Sequence, residues 1–172
     1  MGLATAGTRV RKGARAPVVI GLISDTHGLV RADVHTALAG VSLILHAGDV
    51  GPRDVIDELE LIAPVRAVRG NTDPPGVPWL PATIDLTVSG VRIHVEHGHA
   101  LGGATPAKLL AASPADVIVY GHTHRQLVTE VDGRLIVNPG AAGARRFDLL
   151  PSVARLTIAA GVAAVELVPL SA

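Results

Sequence analysis

The sequence contains no cysteine among its 172 residues. This absence excludes a disulfide framework, thiol catalysis and metal sites built from thiolates. It also fits a reducing compartment, and we expect a cytoplasmic protein. Any metal site in this chain must therefore use oxygen and nitrogen ligands.

Aromatic residues, net charge and long apolar runs are scarce as well. Aromatics make up only 2% of the chain and hydrophobic residues 48%, so the core must consist of Val, Leu, Ile and Ala. Fifteen basic residues balance fifteen acidic ones, so no overall field attracts nucleic acid or an anionic membrane. Scarce aromatics also argue against a base-stacking platform, and no run approaches the ~20 apolar residues of a membrane helix.

The first sixteen residues differ in character from the rest. They carry four basic side chains, and Pro17 separates them from the first apolar run. No signal-peptide core with a small-residue cleavage site follows, so we predict a flexible basic tail over residues 1–16. Residues 17–172 show no repeat and no linker, and their length fits one domain. The sequence leaves open whether that domain forms a homo-oligomer.

Short β-branched runs alternate with helix-like segments in the first half of the chain. "PVVIGLIS", "VSLILHAG" and "VRAVRG" are predicted strands, separated by predicted helices over residues 31–40 and 52–63. This βαβαβ order predicts a parallel sheet with right-handed crossovers.

Four prolines then prevent a regular element over residues 71–82. Hairpins are predicted over residues 83–98, around Ser89-Gly90, and over residues 126–140, around Asp132-Gly133. A short helix and a strand lie between these hairpins, and an antiparallel pair ends the chain. The whole pattern predicts one α/β domain, with two packed sheets and helices outside.

Five predicted strands end in residues that carry carboxylate, amide or imidazole groups. In chain order the segments are "SDTHG", "HAGDVG", "RGNTD", "EHGHA" and "YGHTH", which contain Asp25, His27, Asp49, Asn71, His97, His99, His122 and His124. Ligands of α/β sheets bind at the carboxyl ends of the strands, so these loops can converge. Residues two apart in extended backbone point the same way, which would aim Asp25 and His27 together. Glycines at positions 48, 70 and 121 would permit close approach of the backbone.

Oxygen and nitrogen ligands without sulfur suit Mn, Fe, Zn, Co or Ni better than calcium or copper(I). The candidates exceed what one ion needs, and a carboxylate can bridge two ions through its two oxygens. Paired ions about 3.5–4 Å apart favour in-line attack at phosphorus. Capping and turn chemistry explains single Asp or Asn residues, but it does not explain four histidines placed with them.

The ordered motifs "DTHG", "GDVG", "GNTD", "HGH" and "GHTH" resemble those of the calcineurin-like metallophosphoesterase superfamily. More narrowly, the chain resembles the small YfcE-type phosphodiesterases, which are related to the Vps29 scaffold. The resemblance runs from about residue 18 to 147. It implies a four-layer α/β/β/α sandwich of two mixed β-sheets flanked by helices. It also implies a metal-dependent phosphodiesterase that acts on a small phosphodiester.

The resemblance further implies two divalent ions, usually Mn, with Fe, Zn, Ni or Co as alternatives. Carried over by position, one ion would be held by Asp25, His27 and His124. The other ion would be held by Asn71, His97 and His122. The carboxylate of Asp49 would bridge the two ions. A hydroxide between the ions would be the nucleophile.

Two positions depart from the family pattern. Thr72 stands where many members have a proton-donating histidine, and His99 is a candidate substitute. In "NPGAAGARR", Ala141 replaces a serine of the family motif. Arg145 or Arg146 can still contact the phosphate, since guanidinium matches phosphate geometry. An ordinary surface pair is the alternative.

Two other functions stay open at this point. One is a metal-binding scaffold like Vps29 with weak or no catalysis, although all seven ligand positions here retain ligand-capable side chains. The other is a metal-dependent nuclease, which the balanced charge and scarce aromatics disfavour.

The remaining histidines and the single tryptophan have simpler interpretations. We expect His35 and His94 to be packed or surface residues, and His46 to support the site rather than bind metal. Trp79 is expected to fill space in the proline-rich segment, with a wall beside Asn71 as the alternative.

Overall fold

The computed structural model describes residues 16–146 and 148–171. The predicted basic tail therefore lies outside the described residues, apart from Ala16. The strands are β1 (Val18–Ile23), β2 (Leu43–His46), β3 (Val65–Ala67), β4 (Thr83–Val88), β5 (Val91–Glu96), β6 (Val117–Val119), β7 (Leu127–Val131), β8 (Arg134–Asn138), β9 (Ser152–Ala159) and β10 (Val162–Pro169). The helices are α1 (Ala32–Ala37), α2 (Asp54–Glu60) and α3 (Pro106–Ala112), with a 3₁₀ turn over His99–Leu101.

The strands form two five-stranded sheets, both of mixed direction. The first sheet has the order β10-β9-β1-β2-β3, in which β1, β2 and β3 are parallel. The second has the order β4-β5-β6-β8-β7, in which β5, β6 and β8 are parallel. The predicted parallel sheet of the first half and both predicted hairpins are confirmed, and β9 and β10 form the expected last antiparallel pair.

Three apolar clusters hold the layers together. Side chains such as Leu22 and Leu45 of the first sheet meet Val95 and Val119 of the second in the central cluster. A second cluster packs α1 and α2 on the outer face of the first sheet, and a third packs α3 on the second sheet. The predicted four-layer sandwich is thus confirmed, built almost wholly from aliphatic side chains. Within the described residues the longest α-helices have seven residues, and none can cross a membrane.

Local signals fix the turns and one helix start. Ser89-Gly90, Asp132-Gly133 and Ala160-Gly161 all have positive φ at both positions, which is the type I′ geometry that matches strand twist. Thr105 caps α3 by accepting the N–H of Lys108, and Pro106 occupies the first helical position.

The outer face of β5 carries a buried polar pair. His94 and Glu96 are each only 7% exposed, so His94 is a packed residue. Its Nδ1 lies 2.8 Å from Asp85 Oδ1 on β4, and its Nε2 lies 3.6 Å from Glu96 Oε1. The carboxylates of Glu96, the larger cause, and Asp85 raise the pKa of His94 from its ordinary value of 6.5 against the opposing effect of burial.

This geometry predicts a pH-dependent contribution of His94 to stability. Because the folded-state pKa is raised, protonated His94 stabilises the fold fully below about pH 6.5. That contribution is lost as the pH rises through the folded-state value. The free energy of unfolding, measured by urea denaturation from pH 5 to 9, should therefore fall more steeply with pH in the wild type than in His94→Asn. The slopes should differ by up to about 1.4 kcal/mol per pH unit. Asp85→Asn should give an intermediate slope. The prediction is contradicted if the free energies of unfolding of the wild type and His94→Asn differ by the same amount at every pH.

Candidate metal centre

Six loops meet at one end of the sandwich. The carboxyl ends of parallel strands lie at the same edge of a sheet, and β1, β2 and β3 deliver their loops there from one layer. The parallel strands β5, β6 and β8 deliver theirs from the other layer. The eight predicted site residues on the first five of these loops are Asp25, His27, Asp49, Asn71, His97, His99, His122 and His124.

A first group of donor atoms consists of Asp25, His27 and His124. The Nε2 atoms of the two histidines are 3.4 Å apart, and His124 Nε2 lies 3.2 Å from Asp25 Oδ1. Ligand atoms 2.0–2.2 Å from a common ion are themselves about 3–3.5 Å apart. Among the described residues, the buried Asp25 Oδ1 has no hydrogen-bond partner. The group therefore has the spacing and the open acceptor that a divalent ion requires.

Asp49 joins this group to a second one. Its Oδ2 lies 3.7 Å from His27 Nε2 and 3.4 Å from His97 Nε2. Asp25, Asp49 and His97 offer ligand atoms within 4.8 Å of one another. The other oxygen, Oδ1, accepts the backbone N–H of Thr72 at 2.9 Å. Oδ2 is therefore the oxygen that faces a histidine of each group, and the predicted bridging of two ions by Asp49 stays a prediction.

His97 presents a lone pair to the site. Its Nδ1 donates to the Ala47 carbonyl at 2.7 Å, which leaves Nε2 of the neutral ring as an acceptor. Nε2 faces Asn71 Oδ1 at 3.1 Å and Asp49 Oδ2 at 3.4 Å. Three acceptors that point at one another are mutually unfavourable unless a proton or a cation lies between them. Burial lowers the pKa of His97, but the carboxylates of Asp49 and Asp25 and the hydrogen bond to the Ala47 carbonyl together raise it more, so the net shift is upward.

The predicted residues His122 and His99 lie at the margin of the second group, beside His97. The ring centroid of His122 is 5.2 Å from that of His97, and its backbone N–H donates to Asp25 Oδ2 at 3.2 Å. The His99 ring lies 5.3 Å from His97 and 6.4 Å from His122. Neither ring belongs to the two close groups found among the described residues.

The backbone at the site is unusual. Five of the seven candidate ligands have positive φ, between 46° and 67°: Asp25, His27, Asp49, His122 and His124. The explanation of their convergence by extended backbone is therefore wrong, since these residues adopt the left-handed region. That conformation costs roughly 1–2 kcal/mol per residue and clusters at functional sites. Among the described residues, the other non-glycine examples are three hairpin-turn positions.

Two glycines allow the loops to approach so closely. A Cβ at Gly70 would overlap Asp49 Oδ1 and its amide nitrogen, and one at Gly121 would overlap Ser24 Oγ. The Gly121 Cβ would also lie 2.9 Å from Asp25 Oδ2. The predicted need for glycine at these positions is confirmed, and the space it frees contains the site carboxylates.

A hydrogen-bonded chain supports the loops after β1 and β2. The N–H of Gly48 donates to His46 Nδ1 at 3.2 Å, so His46 Nε2 donates to Thr26 Oγ1 at 2.9 Å. The Thr26 hydroxyl in turn donates to the Val50 carbonyl at 2.9 Å. Complete burial lowers the pKa of His46 to about 4 and keeps the ring neutral. His46 thus supports the site and is not a ligand, as expected from the sequence.

Two supporting residues were missed from the sequence. Asn138 donates from Nδ2 to the Gly121 carbonyl at 2.9 Å and to Thr123 Oγ1 at 3.0 Å, which fixes the loop of His122 and His124. Asp73 accepts three backbone N–H groups from the loops of Asp49 and Asn71. The sequence features that could have identified them are the asparagine of "NPG" and the aspartate of "GNTD", which both stand at strand ends.

The loop after β8 brings positive charge to the first group. Its residues Ala142 and Gly143 donate backbone N–H groups to the carbonyls of Ser24 and Asp25. Arg145 and Arg146 follow, and both line a small cavity with His124. Burial lowers the pKa of His27, and the positive charge of Arg146 lowers it further.

Trp79 of the proline-rich segment packs on the apolar cluster under α2, with Arg53 stacked 5.2 Å from its ring.

Known proteins resemble this chain in sequence and fold. Residues 18–161 match the family described as the calcineurin-like phosphoesterase superfamily domain. A probable metallophosphoesterase of Methanothermobacter thermautotrophicus is 35% identical over 148 residues, which cover 81% of each protein. Phosphodiesterase YfcE of Escherichia coli is 30% identical over 146 residues, which cover 69% of this chain and 76% of that protein. The structure of Vps29 from Cryptosporidium parvum aligns with a TM-score of 0.76 at 22% identity, over 91% of this chain and 99% of that one, and shares the fold.

The close approach at Gly121 leads to a test of the site geometry. Gly121→Ala should destabilise the fold by about 1–3 kcal/mol through overpacking and displace Asp25, lowering the affinity for Mn²⁺ at least about tenfold. Thermal melting and Mn²⁺ titration measure the two effects. Gly133→Ala is the matched control: it has positive φ and open space around it, far from the site. It should lose about 1–2 kcal/mol and bind Mn²⁺ normally. Equal Mn²⁺ affinity in the two variants would refute the assignment.

Proposed function

The chain belongs to the calcineurin-like phosphoesterase superfamily, and from this premise we propose that it is a phosphodiesterase with two divalent metal ions. The observation that carries the proposal is Asp49 Oδ2, which lies 3.7 Å from His27 Nε2 and 3.4 Å from His97 Nε2. One oxygen between two groups of nitrogen and oxygen donors is the arrangement that two neighbouring cations would use. The names of the metallophosphoesterase and phosphodiesterase relatives support the same activity.

The proposed first ligand set is the first close group, and the proposed second set joins His97 to Asn71, which it faces, and to His122, whose ring centroid lies 5.2 Å from that of His97. Asp25, His27 and His124 hold one ion; Asn71, His97 and His122 hold the other; and Asp49 is shared. Manganese is the proposed metal, and the donor chemistry also accepts Fe, Zn, Ni or Co. Two such ions would supply hydroxide at neutral pH for in-line attack and offset charge on the phosphoryl oxygens.

Arginine side chains of the β8 loop complete the proposed substrate site. Arg146 lies close enough to His27 for its charge to lower the pKa of that ring, and Arg145 lines the same small cavity. A guanidinium here can bind a phosphoryl oxygen with two parallel N–H donors. This arrangement favours a small phosphodiester over a neutral ester as substrate.

A direct assay tests the proposed activity. The protein loaded with Mn²⁺ should hydrolyse bis-p-nitrophenyl phosphate faster than p-nitrophenyl phosphate, and a chelator should abolish the hydrolysis. Asp49→Asn should lower kcat/KM for the diester at least about a hundredfold, because the shared ligand is lost. Asp57→Asn, an exposed carboxylate on α2 paired with Arg53, is the matched control and should keep full activity.

The same assay distinguishes the alternatives. Protein that binds Mn²⁺ and cleaves neither ester would favour the metal-binding scaffold. In that case the similarity to Vps29 would include function as well as fold. Degradation of single-stranded DNA at low salt would favour the nuclease. Preference for the monoester would overturn the proposed substrate class.

The proton donor to the leaving group is proposed to be His99. Thr72 has no imidazole, whereas the His99 ring lies beside those of His97 and His122. Its buried Nδ1 has no hydrogen-bond partner among the described residues. Burial, and then the charges of His97, His122 and Arg69, lower the pKa of His99. The protonated ring is therefore a stronger acid than an ordinary histidine.

Leaving-group dependence tests this role. His99→Ala should lower kcat about a hundredfold or more on an alkyl diester, whose alkoxide needs a proton. It should change the rate on bis-p-nitrophenyl phosphate little, because nitrophenolate leaves without one. The surface histidine His35, paired with Glu58, provides the control variant His35→Ala. An equal loss on both substrates would mean that His99 does not act as the acid.

A further inference from the structure

Asp73 is a buried carboxylate that belongs to neither ligand group. It is 4% exposed and accepts three backbone N–H groups. Oδ2 accepts from Gly70 at 2.8 Å and from Val50 at 3.1 Å, and Oδ1 accepts from Gly51 at 2.9 Å. One side chain therefore joins the loop after β3 to the loop after β2.

The two loops are joined in the opposite direction as well. Asp49, on the loop after β2, accepts the N–H of Thr72 on the loop after β3. Asn71 thus lies between two residues whose amides are each bound by a carboxylate, Gly70 by Asp73 and Thr72 by Asp49. Hydrogen bonds to ionised acceptors are roughly twice as strong as neutral ones. These two bonds set the direction in which the otherwise exposed Asn71 extends toward His97.

The first ligand group is held by different contacts. The N–H groups of Asp25 and His27 donate to the carbonyls of Gly48 and Asp49, at 3.0 and 2.9 Å. The N–H of Gly143 donates to the Asp25 carbonyl from the β8 loop. None of these bonds involves the Asp73 side chain.

We propose that Asp73 is a positioning residue for the second metal ion, because it fixes Asn71 opposite Asp49 and His97. This inference rests on the proposed two-ion centre. Asp73 acts through Asn71 and does not touch metal or substrate. Replacing Asp73 should loosen the Asn71 side of the centre and leave the Asp25, His27 and His124 side in place.

The variant Asp73→Asn removes the interaction with little change in size. An amide keeps one acceptor oxygen, but its NH₂ group then faces a backbone N–H, so at least one of the three bonds is lost. Asp116→Asn is the matched control. That carboxylate also accepts a backbone N–H from another strand, that of Arg92 at 2.9 Å. It lies at the start of β6, the end of the strand opposite to His122.

Titration of the metal-free full chain with Mn²⁺, followed by electron paramagnetic resonance, tests the inference. The wild type should bind two ions, with a mononuclear signal replaced by a spin-coupled one. Asp73→Asn should give the mononuclear signal at wild-type Mn²⁺ concentrations but need about 10–100-fold more Mn²⁺ for the coupled signal. Asp116→Asn should follow the wild type. A general loss of stability would not separate the two ions in this way.

Several outcomes would overturn the inference. Asp73→Asn could bind both ions as tightly as the wild type, or bind both more weakly to the same degree. Circular dichroism melting checks that each variant is folded during titration. If Asp73→Asn does not fold, Asp73→Glu keeps the charge and displaces the carboxylate by one methylene, and it should weaken the second ion selectively. A wild-type chain that binds no Mn²⁺ would instead reject the metal centre itself.

Discussion

This structure depends on one constraint, which is a buried cluster of carboxylate and imidazole acceptor atoms. Asp25 and Asp49 are 1% and 3% exposed, and imidazole nitrogens lie 3.2–3.7 Å from their oxygens. Burying a charge without a partner costs several kcal/mol, and acceptors that face each other add to that cost. A divalent cation removes both problems at once. The fold must hold these groups together against their repulsion wherever neither a proton nor a cation lies between them.

The packing between the two sheets of the sandwich holds these groups in place. Leu22, Leu45, Val95 and Val119 pack in one aliphatic cluster directly below the loops that carry the donors. The left-handed backbone of five candidate ligands could not persist on a mobile surface, because such conformations relax unless tertiary contacts fix them. The second sheet therefore does more than cover the first: it contributes His97, His122 and His124 to a site that the first sheet only half completes.

Much of this arrangement could be predicted from the sequence, and the limits have a physical cause. Alternation within strands and the turn dipeptide Asp132-Gly133 depend on local chemistry, so the sheets and hairpins followed from the residues alone. The order of the strand-end motifs likewise placed the donors at one edge. Which oxygen of Asp49 faces the histidines, and what Asp73 and Asn138 hold in place, depend on hydrogen bonds between loops far apart in sequence. No periodicity reports such contacts, and the left-handed backbone of the candidate ligands was missed for the same reason.

The family resemblance implies a histidine in many members where this chain has Thr72, and this difference separates two tasks of the proposed site. Thr72 contributes its backbone N–H to Asp49 Oδ1, and any residue except proline can make that bond. The side chain at this position is therefore free to change without disturbing the ligand geometry. In the proposed centre, the main chain of the Asn71 loop would hold the Asp49 carboxylate, whereas protonation of the leaving group would depend on a side chain. Threonine at position 72 is therefore compatible with the proposed metal centre, whose range of leaving groups would depend on whether a neighbouring ring such as His99 supplies the proton.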